Sequence, residues 1–366
     1  FTRLRETGLY VISAEDEKTS PYYGVPYTSI GKKHANEVGF FVQDEWNVTP
    51  KLTVVPGIRV DSHSSGEEYA TSVKVSDSAF PTTKFSKTTV NPRIAIKYEL
   101  TPSLVLRANV GTGFRAPYGF SEDLHLCSGS PRVWKSSNLK GERAISYNLS
   151  ADYYAKKYQF SINIFRTNLK DKIQFSPADD EVKKFGYSYQ WENVDDAYVQ
   201  GVELGAKANL FRNFNAGINW TFNQGKFKHE RADWSDPNDE TVKEFPQRLQ
   251  YAKDSRNISR FPAMTGDIDL DYTPGTWTFS LTSSLQGRMF IDYNSEDDGA
   301  TSKIKKTNTF MIFNCRAAKR FGTCTVYAGA KNIFSYIQDE KHTDDAAFMY
   351  APVYGATWYV GLSVKL

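Results

Sequence analysis

The chain has 366 residues, a mean hydropathy of −0.52 and 24% charged side chains. It holds no apolar run of about 18 residues, which argues against a transmembrane helix but not against a protein that crosses a membrane with strands. The net charge of +3 is too small to argue for a nucleic-acid partner, and three cysteines are too few for a disulfide framework.

Residues 1–36 show little regular pattern and read as an irregular segment or external loop that could hold a strand. From residue 37 to 366 apolar and polar side chains alternate in segments of about ten residues, the period of a strand with one greasy and one wet face. Ile94, Ile96, Tyr98 and Leu100 oppose Arg93, Ala95, Lys97 and Glu99, while Leu104, Leu106, Ala108 and Val110 oppose Arg107, Asn109 and Gly111. Ile145, Tyr147, Leu149 and Tyr153 oppose Ser146, Asn148, Ser150 and Asp152. Phe214, Ala216, Ile218, Trp220 and Phe222 oppose small or polar residues, and Trp277, Phe279, Leu281 and Leu285 oppose Thr and Ser. Ile268, Leu270 and Tyr272 oppose Asp267, Asp269 and Asp271, a row of carboxylates that a closed sandwich core would not accept and a watery lumen would. The last segment sets Trp358, Val360, Leu362 and Val364 against Tyr359, Gly361, Ser363 and Lys365.

Six short turn signals separate these segments, at Thr49-Pro50-Lys51, Thr101-Pro102-Ser103, Ala155-Lys156-Lys157, Phe211-Arg212-Asn213, Thr273-Pro274-Gly275 and Arg320-Phe321-Gly322. Long connections lie between them, over 62–90, 115–142, 169–196, 225–262, 288–306 and 334–355. Short turns at one end and long loops at the other are the pattern of an outer-membrane barrel, with periplasmic turns and external loops. The expected fold is therefore all-β, a transmembrane antiparallel β-barrel, with about fourteen strands after residue 37 and one or two more before it. The 22 Tyr, 24 Phe and 7 Trp suit interfacial girdles. Cys315 and Cys324 flank a tight turn and either face each other across a hairpin or remain two free thiols.

No catalytic constellation appears. The five histidines, His34, His63, His125, His229 and His342, are scattered, and no nucleophile-elbow or zinc-binding motif is present. A surface protease or phospholipase barrel is the enzymatic alternative. Phe185, Tyr187, Tyr189 and Trp191 recur at period two, as a strand rising above the membrane or as an aromatic wall for a planar ligand. Asp233, Asp236 and Asp239 cluster with Asn238 and Glu240, oxygen ligands that would suit Ca²⁺ in an external loop or simply form a solvated acidic stretch. Arg248, Arg256 and Arg260 follow and could grip an anionic chelate.

Gly111-Thr112-Gly113-Phe114-Arg115-Ala116-Pro117 resembles the GFRAP signature of TonB-dependent outer-membrane receptors. Ser137-Asn138-Leu139-Lys140-Gly141-Glu142 is similar to the NPNLKPE segment that follows it there, with Ser for the first Pro and Gly for the second. Asn91-Pro92-Arg93, Phe41-Val42-Gln43-Asp44-Glu45-Trp46, Val199-Gln200-Gly201-Val202-Glu203 and Lys331-Asn332-Ile333-Phe334 agree in order and spacing. The resemblance implies a roughly 22-stranded barrel closed by an N-terminal plug, of which this chain carries about 14–16 C-terminal strands and no plug. The family usually ends in Phe where this chain has Leu366.

The resemblance further implies an active importer in the outer membrane of a Gram-negative bacterium, not an enzyme. Its cargo would be a scarce bulky nutrient, most of all a metal chelate: cobalamin, a ferric siderophore or haem. The chelate and outer-membrane lipid would be its partners, with the TonB–ExbB–ExbD complex engaged through the plug and room for a surface lipoprotein. No intrinsic cofactor is implied. A glycan or peptide importer of the same superfamily and a passive porin are the alternatives. Between the two motifs lie His125, Cys127, Arg132 and Trp134. In the haem-uptake branch a histidine there is an axial ligand, so His125 is either such a ligand or a loop histidine with one hydrogen bond.

Overall fold

Alternation is realised as long strands whose neighbours agree on which face is greasy. The computed structural model describes residues 2–12, 26–73, 80–118, 133–177, 179–185, 189–229, 256–258, 260–291, 305–338 and 350–365. Among them the strands are β1 (Thr2–Ile12), β2 (Tyr27–Gln43), β3 (Trp46–Thr49), β4 (Leu52–Thr71), β5 (Thr83–Thr101), β6 (Leu104–Arg115), β7 (Val133–Lys135), β8 (Glu142–Tyr154) and β9 (Tyr158–Pro177). They continue as β10 (Tyr189–Phe211), β11 (Phe214–Phe227), β12 (Met264–Tyr272), β13 (Trp277–Gln286), β14 (Phe290–Ile291), β15 (Lys305–Lys306), β16 (Phe310–Phe321), β17 (Cys324–Lys331) and β18 (Thr357–Val364). One helical turn, α1 (Asp180–Lys183), interrupts them.

All but the small β14–β15 pair belong to one 16-stranded sheet. Its path runs β1-β2-β4-β5-β6-β8-β9-β10-β11-β12-β13-β16-β17-β18, with β3 attached to β4 and β7 to β10. Every pairing along that path is antiparallel, and its strands come in chain order with only β3, β7, β14 and β15 set aside from it. This is the meander of a barrel wall. Among the described residues β1 and β18 pair on one side only.

The cross-strand register aligns the greasy band. On β4 the outward residues Leu52, Val54, Pro56, Ile58 and Val60 give way to Ser62 and Ser64. On β5 Val60 meets Val90 and Ser62 meets Thr88, so the band ends at one height on both strands. From Leu52 to Val60 a tilted strand rises about 20 Å, close to the roughly 25 Å apolar band of an outer-membrane barrel. The opposite face is polar and self-paired. Arg107 forms an ion pair with Asp152. Asn148 donates to Asn109 at 2.9 Å, Asn163 to Glu203 at 2.9 Å and Asn219 to Asp267 at 2.8 Å.

The turns sit where their signals predicted, all at one end. Thr49 Oγ1 accepts from the amides of Lys51 and Leu52, and Thr101 Oγ1 accepts from those of Ser103 and Leu104, one hydroxyl device used twice. Asn213, Gly275 and Gly322 take φ of 64°, 62° and 59°, the left-handed conformation that Asn and Gly tolerate in such tight turns. Just above them runs an outward girdle of rings. Phe211, Phe214, Tyr272, Phe279 and Trp277 lie in successive contact, and Lys319 places its ammonium 4.8 Å over Trp277. Aromatic belts with snorkelling cations mark a lipid–water interface.

One expectation needs correction and two open alternatives are decided. The strands outrun the membrane: β4 and β5 fill most of 62–90, and β9 and β10 fill most of 169–196, so these stretches are tall walls rather than loops. Period-two patterning remains there, but polar residues on both faces hid it. Much of 1–36 is strand, since β1 pairs with the first part of β2 from Thr2 opposite Glu37 to Ile12 opposite Tyr27. Cys315 and Cys324 do not face each other. Cys315 stands opposite Ala330 and Cys324 opposite Phe321, and both are free thiols.

Leu281 lies mid-strand on the outward face between Leu270 and Cys315. Leu281→Arg should destabilise the barrel in lipid vesicles by about 2–4 kcal/mol, as for a cation near the bilayer midplane. Thr282, opposite Asp269 on the lumen face, should accept Arg at little cost. Urea unfolding of both variants checks the assignment, and the reverse order would show that the faces are exchanged.

Candidate functional site

At the end away from the short turns, the last residues of the segment between the two motifs join the wall. β7 adds in parallel to the tip of β10, setting Val133 opposite Tyr189, Trp134 opposite Gln190 and Lys135 opposite Trp191. Trp134 and the tip that carries Tyr189 and Trp191, singled out from two separate stretches of sequence, are thereby neighbours on one rim. Local structure prepares the contact. Asp179 caps α1 by accepting from the Val182 amide at 2.9 Å, and the turn buries Val182 against Trp134 and Phe185.

Phe185 also packs on a second cluster, where Tyr27 and Phe80 are buried beside Tyr69. Tyr69 and Phe80 lie 5.4 Å apart, and Tyr27 meets Phe80 edge-on at 6.1 Å. The tips of β2 and β4 are thus tied to β7 and β10 through rings. Trp134 gives part of its surface to this tie.

A buried ion pair makes the second tie. Lys135 Nζ lies 2.6 Å from Glu67 Oε1, and the two side chains are 4% and 1% exposed. Glu67 also accepts from the Tyr69 hydroxyl at 3.0 Å, and its amide donates to Thr83 Oγ1 at 3.0 Å. Lys33, itself buried, stands directly opposite Glu67 across the β2–β4 ladder. These contacts compensate for taking both charges out of water.

The two motif segments clamp each other. The Tyr118 hydroxyl donates to the Ser136 carbonyl at 2.7 Å and accepts from the Leu139 amide at 3.1 Å. Burial pushes its pKa up to about 12 against the lowering effect of the Leu139 N–H, with the Glu67 charge adding to the rise, so the proton stays on. Pro117 and Leu139 are buried, whereas Asn138 is exposed. Asn193 then pins the start of β8: it accepts from the Lys140 amide at 2.8 Å and donates to the carbonyls of Lys140 and Asp171.

Phe114 packs closely against the second motif. Its ring lies 4.9 Å from the His63 ring and 6.0 Å from Phe85, under the Lys87 ammonium at 5.4 Å. A Cβ at residue 141 would fall 2.2 Å from this ring and 3.1 Å from the Arg115 carbonyl, so Gly141 lets the ring lie directly against the backbone here. Arg115 ends β6, and Ala116 leads from it into Pro117.

Of the residues named from sequence, His125, Cys127, Arg132, Tyr187, Arg248, Asp233, Asp236 and Asp239 lie outside the described residues. Among the described residues no three His, Cys, Asp or Glu side chains converge as metal ligands. The residues that sequence reasoning missed are Glu67, Lys135, Tyr118 and His63. Glu67 continues the inward parity of Asp61, His63 and Ser65 on β4, the one signal that could have found it. The buried histidine of this region is His63, 3.3 Å from Thr89 Oγ1.

A curved antiparallel meander, with a polar lumen, a greasy outer band and the two clamped motifs at its rim, identifies the fold. The family model described as TonB dependent receptor-like, beta-barrel matches residues 5–333. The chain belongs to this family. Its barrels sit in the outer membrane of Gram-negative bacteria, and so does this one. The chain is 26% identical over 266 residues to the vitamin B12 transporter BtuB of Photobacterium profundum, covering 71% of this chain and 36% of that protein. It is 25% identical over 202 residues to a ferric enterobactin receptor of Pseudomonas aeruginosa, covering 50% of this chain and 24% of that protein. These relatives are transporters and receptors, not enzymes. Among solved structures, the ferric yersiniabactin uptake receptor FyuA from Yersinia pestis superposes with a TM-score of 0.62 at 15% identity, over 98% of this chain and 49% of that one. At such identity the likeness is one of fold. The chain spans less than half the length of these curated relatives.

Removing one partner of a buried ion pair strands the other charge at a cost of about 3–5 kcal/mol. Lys135→Met should therefore speed amide exchange of Val133–Lys135 strongly, whereas Lys135→Met with Glu67→Leu should restore most of the protection. Unchanged exchange in the single variant would show that the pair does not hold the rim.

Proposed function

We propose that this barrel is the wall and half the external vestibule of a receptor that imports a metal chelate, energised through the TonB–ExbB–ExbD complex. The observation that carries the reading is the fixed rim. Val133–Lys135, the end of the inter-motif segment, is fastened by Lys135–Glu67, and Lys140 of the second motif by Asn193, with Trp134 and Trp191 on adjacent strands. A rim ordered in advance avoids the entropic cost of ordering loops on binding, which suits a rigid, bulky ligand gripped by aromatic faces and fixed cations. Cobalamin and ferric catecholates are the first candidates, since the names of two relatives specify vitamin B12 and ferric enterobactin. Haem is the third, through His125. Ca²⁺ held by Asp233, Asp236 and Asp239 would stiffen an external loop without joining the transport step.

The full-length receptor should be titrated separately with cyanocobalamin, a ferric catecholate and haem. One of the three should bind, and Trp191→Ala should weaken it by about tenfold, the range of a buried aromatic contact. Uptake should cease in cells lacking TonB. Uptake that persists without TonB would make the barrel a passive conduit, and binding of an oligosaccharide or peptide in place of every chelate would replace the cargo.

A further inference from the structure

Further along the sheet from the rim of β7 and β10, the lumen face carries a second built feature. Ser284 and Gln286, at the end of β13 away from the short turns, point to the lumen: Ser284 stands opposite Asp267 of the carboxylate row and Gln286 opposite Thr265. Ile312 and Phe310 of β16 continue the same two rows. Segment 350–352 packs against these strand ends, and a cavity of about 340 Å³ is left between them.

The cavity walls are fixed by their own bonds. Gln338 is 1% exposed, and its side-chain oxygen accepts from the amides of Tyr350 and Ala351 at 2.9 and 3.1 Å. Its own amide donates to the Pro352 carbonyl at 2.8 Å. Gln286 Nε2 donates to the Tyr350 carbonyl at 3.4 Å. Phe310 stacks on Tyr336 at 4.7 Å, and the Asn332 side chain holds Tyr336 by both its amide and its carbonyl. A pocket formed in advance spares a ligand the cost of ordering its walls.

The lining decides what fits. None of the side chains around the cavity carries a charge, so an ion entering it would lose hydration without gaining a countercharge from the walls. Asp267, the cross-strand neighbour of Ser284, already accepts from Asn219 at 2.8 Å. The open polar groups are of both kinds: the exposed Ser284 hydroxyl donates and accepts, and Gln286 keeps its carbonyl oxygen and a second N–H. Ile312, Pro352 and the Tyr350 ring add apolar surface. The matching ligand is small and uncharged, with hydroxyls along its edge and C–H groups on a face. We propose that this pocket binds one pyranose sugar ring, its hydroxyls on Ser284 and Gln286 and its C–H face against Tyr350, Ile312 and Pro352. The electron-rich face of an aromatic ring attracts such polarised C–H groups. With no cation to hold an anionic chelate, the pocket is distinct from the rim that carries Trp134 and Trp191, and it does not depend on which cargo is imported.

The test uses the full-length receptor in a detergent without a sugar headgroup, with saturation-transfer NMR as readout. The probes are glucose, galactose and mannose, the open-chain polyol sorbitol, and protonated glucosamine. At least one of the three hexoses should receive saturation at its ring C–H protons and bind with a Kd of roughly 1 mM, the strength of a few neutral hydrogen bonds. Sorbitol should bind about tenfold more weakly, because its chain must be ordered and offers no flat C–H face. Ser284→Ala, at an exposed side chain, should weaken the hexose about threefold, as for one neutral hydrogen bond. Ser284→Trp, which fills the pocket, should abolish the transfer while the protein keeps its heat-modifiable mobility. Failure of all three hexoses, equal binding of sorbitol, or unchanged transfer in Ser284→Trp overturns the proposal. Glucosamine bound more tightly than every neutral hexose overturns it too, because the pocket would then be an amine site set by Asp267.

Discussion

In a hydrocarbon layer no water is present to satisfy a peptide group, so every backbone N–H and C=O must find its partner within the protein. The rest of this structure depends on that constraint. It selects an antiparallel ladder running from β1 to β18. The ladder in turn forces side chains to alternate between lipid and lumen. The carboxylates of Asp267, Asp269 and Asp271 sit on one strand with Ile268, Leu270 and Tyr272 because the two sets never share a solvent. A one-residue slip would exchange them, so register and membrane insertion are specified together.

Beyond the band the same ladder continues into water, and a different interaction takes over. The external tips of β4, β5, β9 and β10 have no lipid to define their faces. They are held by local packing and by a buried charge. Lys135 and Glu67 join a three-residue strand to a wall several strands away in the sheet. An ion pair of this kind adds little net stability over a greasy substitute, but it penalises any other placement of either partner. It therefore specifies where the inter-motif segment goes, while the rings around Phe185 supply the apolar burial that keeps it there.

Wall and rim divide the work. The wall is rigid because its hydrogen bonds cannot be traded for water. The rim is rigid because its polar groups are satisfied one by one, by Tyr118, Asn193 and Glu67. The motif residues serve this second purpose more than they offer a surface. Pro117 and Leu139 are buried, and Phe114 packs into the space that Gly141 leaves.

The sequence by itself determined the fold class, the parity of each membrane-crossing strand and the six short turns. These are local properties: period two over about ten residues, and Thr-Pro, Asn or Gly where a turn demands them. It also placed the two motifs, because a motif is a run of neighbours in the chain. The heights of β4, β5, β9 and β10 above the membrane were not legible, since a strand wet on both faces has no hydrophobic period to read. Nor was the separation of Cys315 from Cys324, which register alone decides. Only the tertiary structure brought Trp134 beside Trp191 and Lys135 onto Glu67. Those contacts join residues far apart in sequence, and their partners are chosen by how the sheet curves and where a loop crosses, quantities that no window of sequence contains.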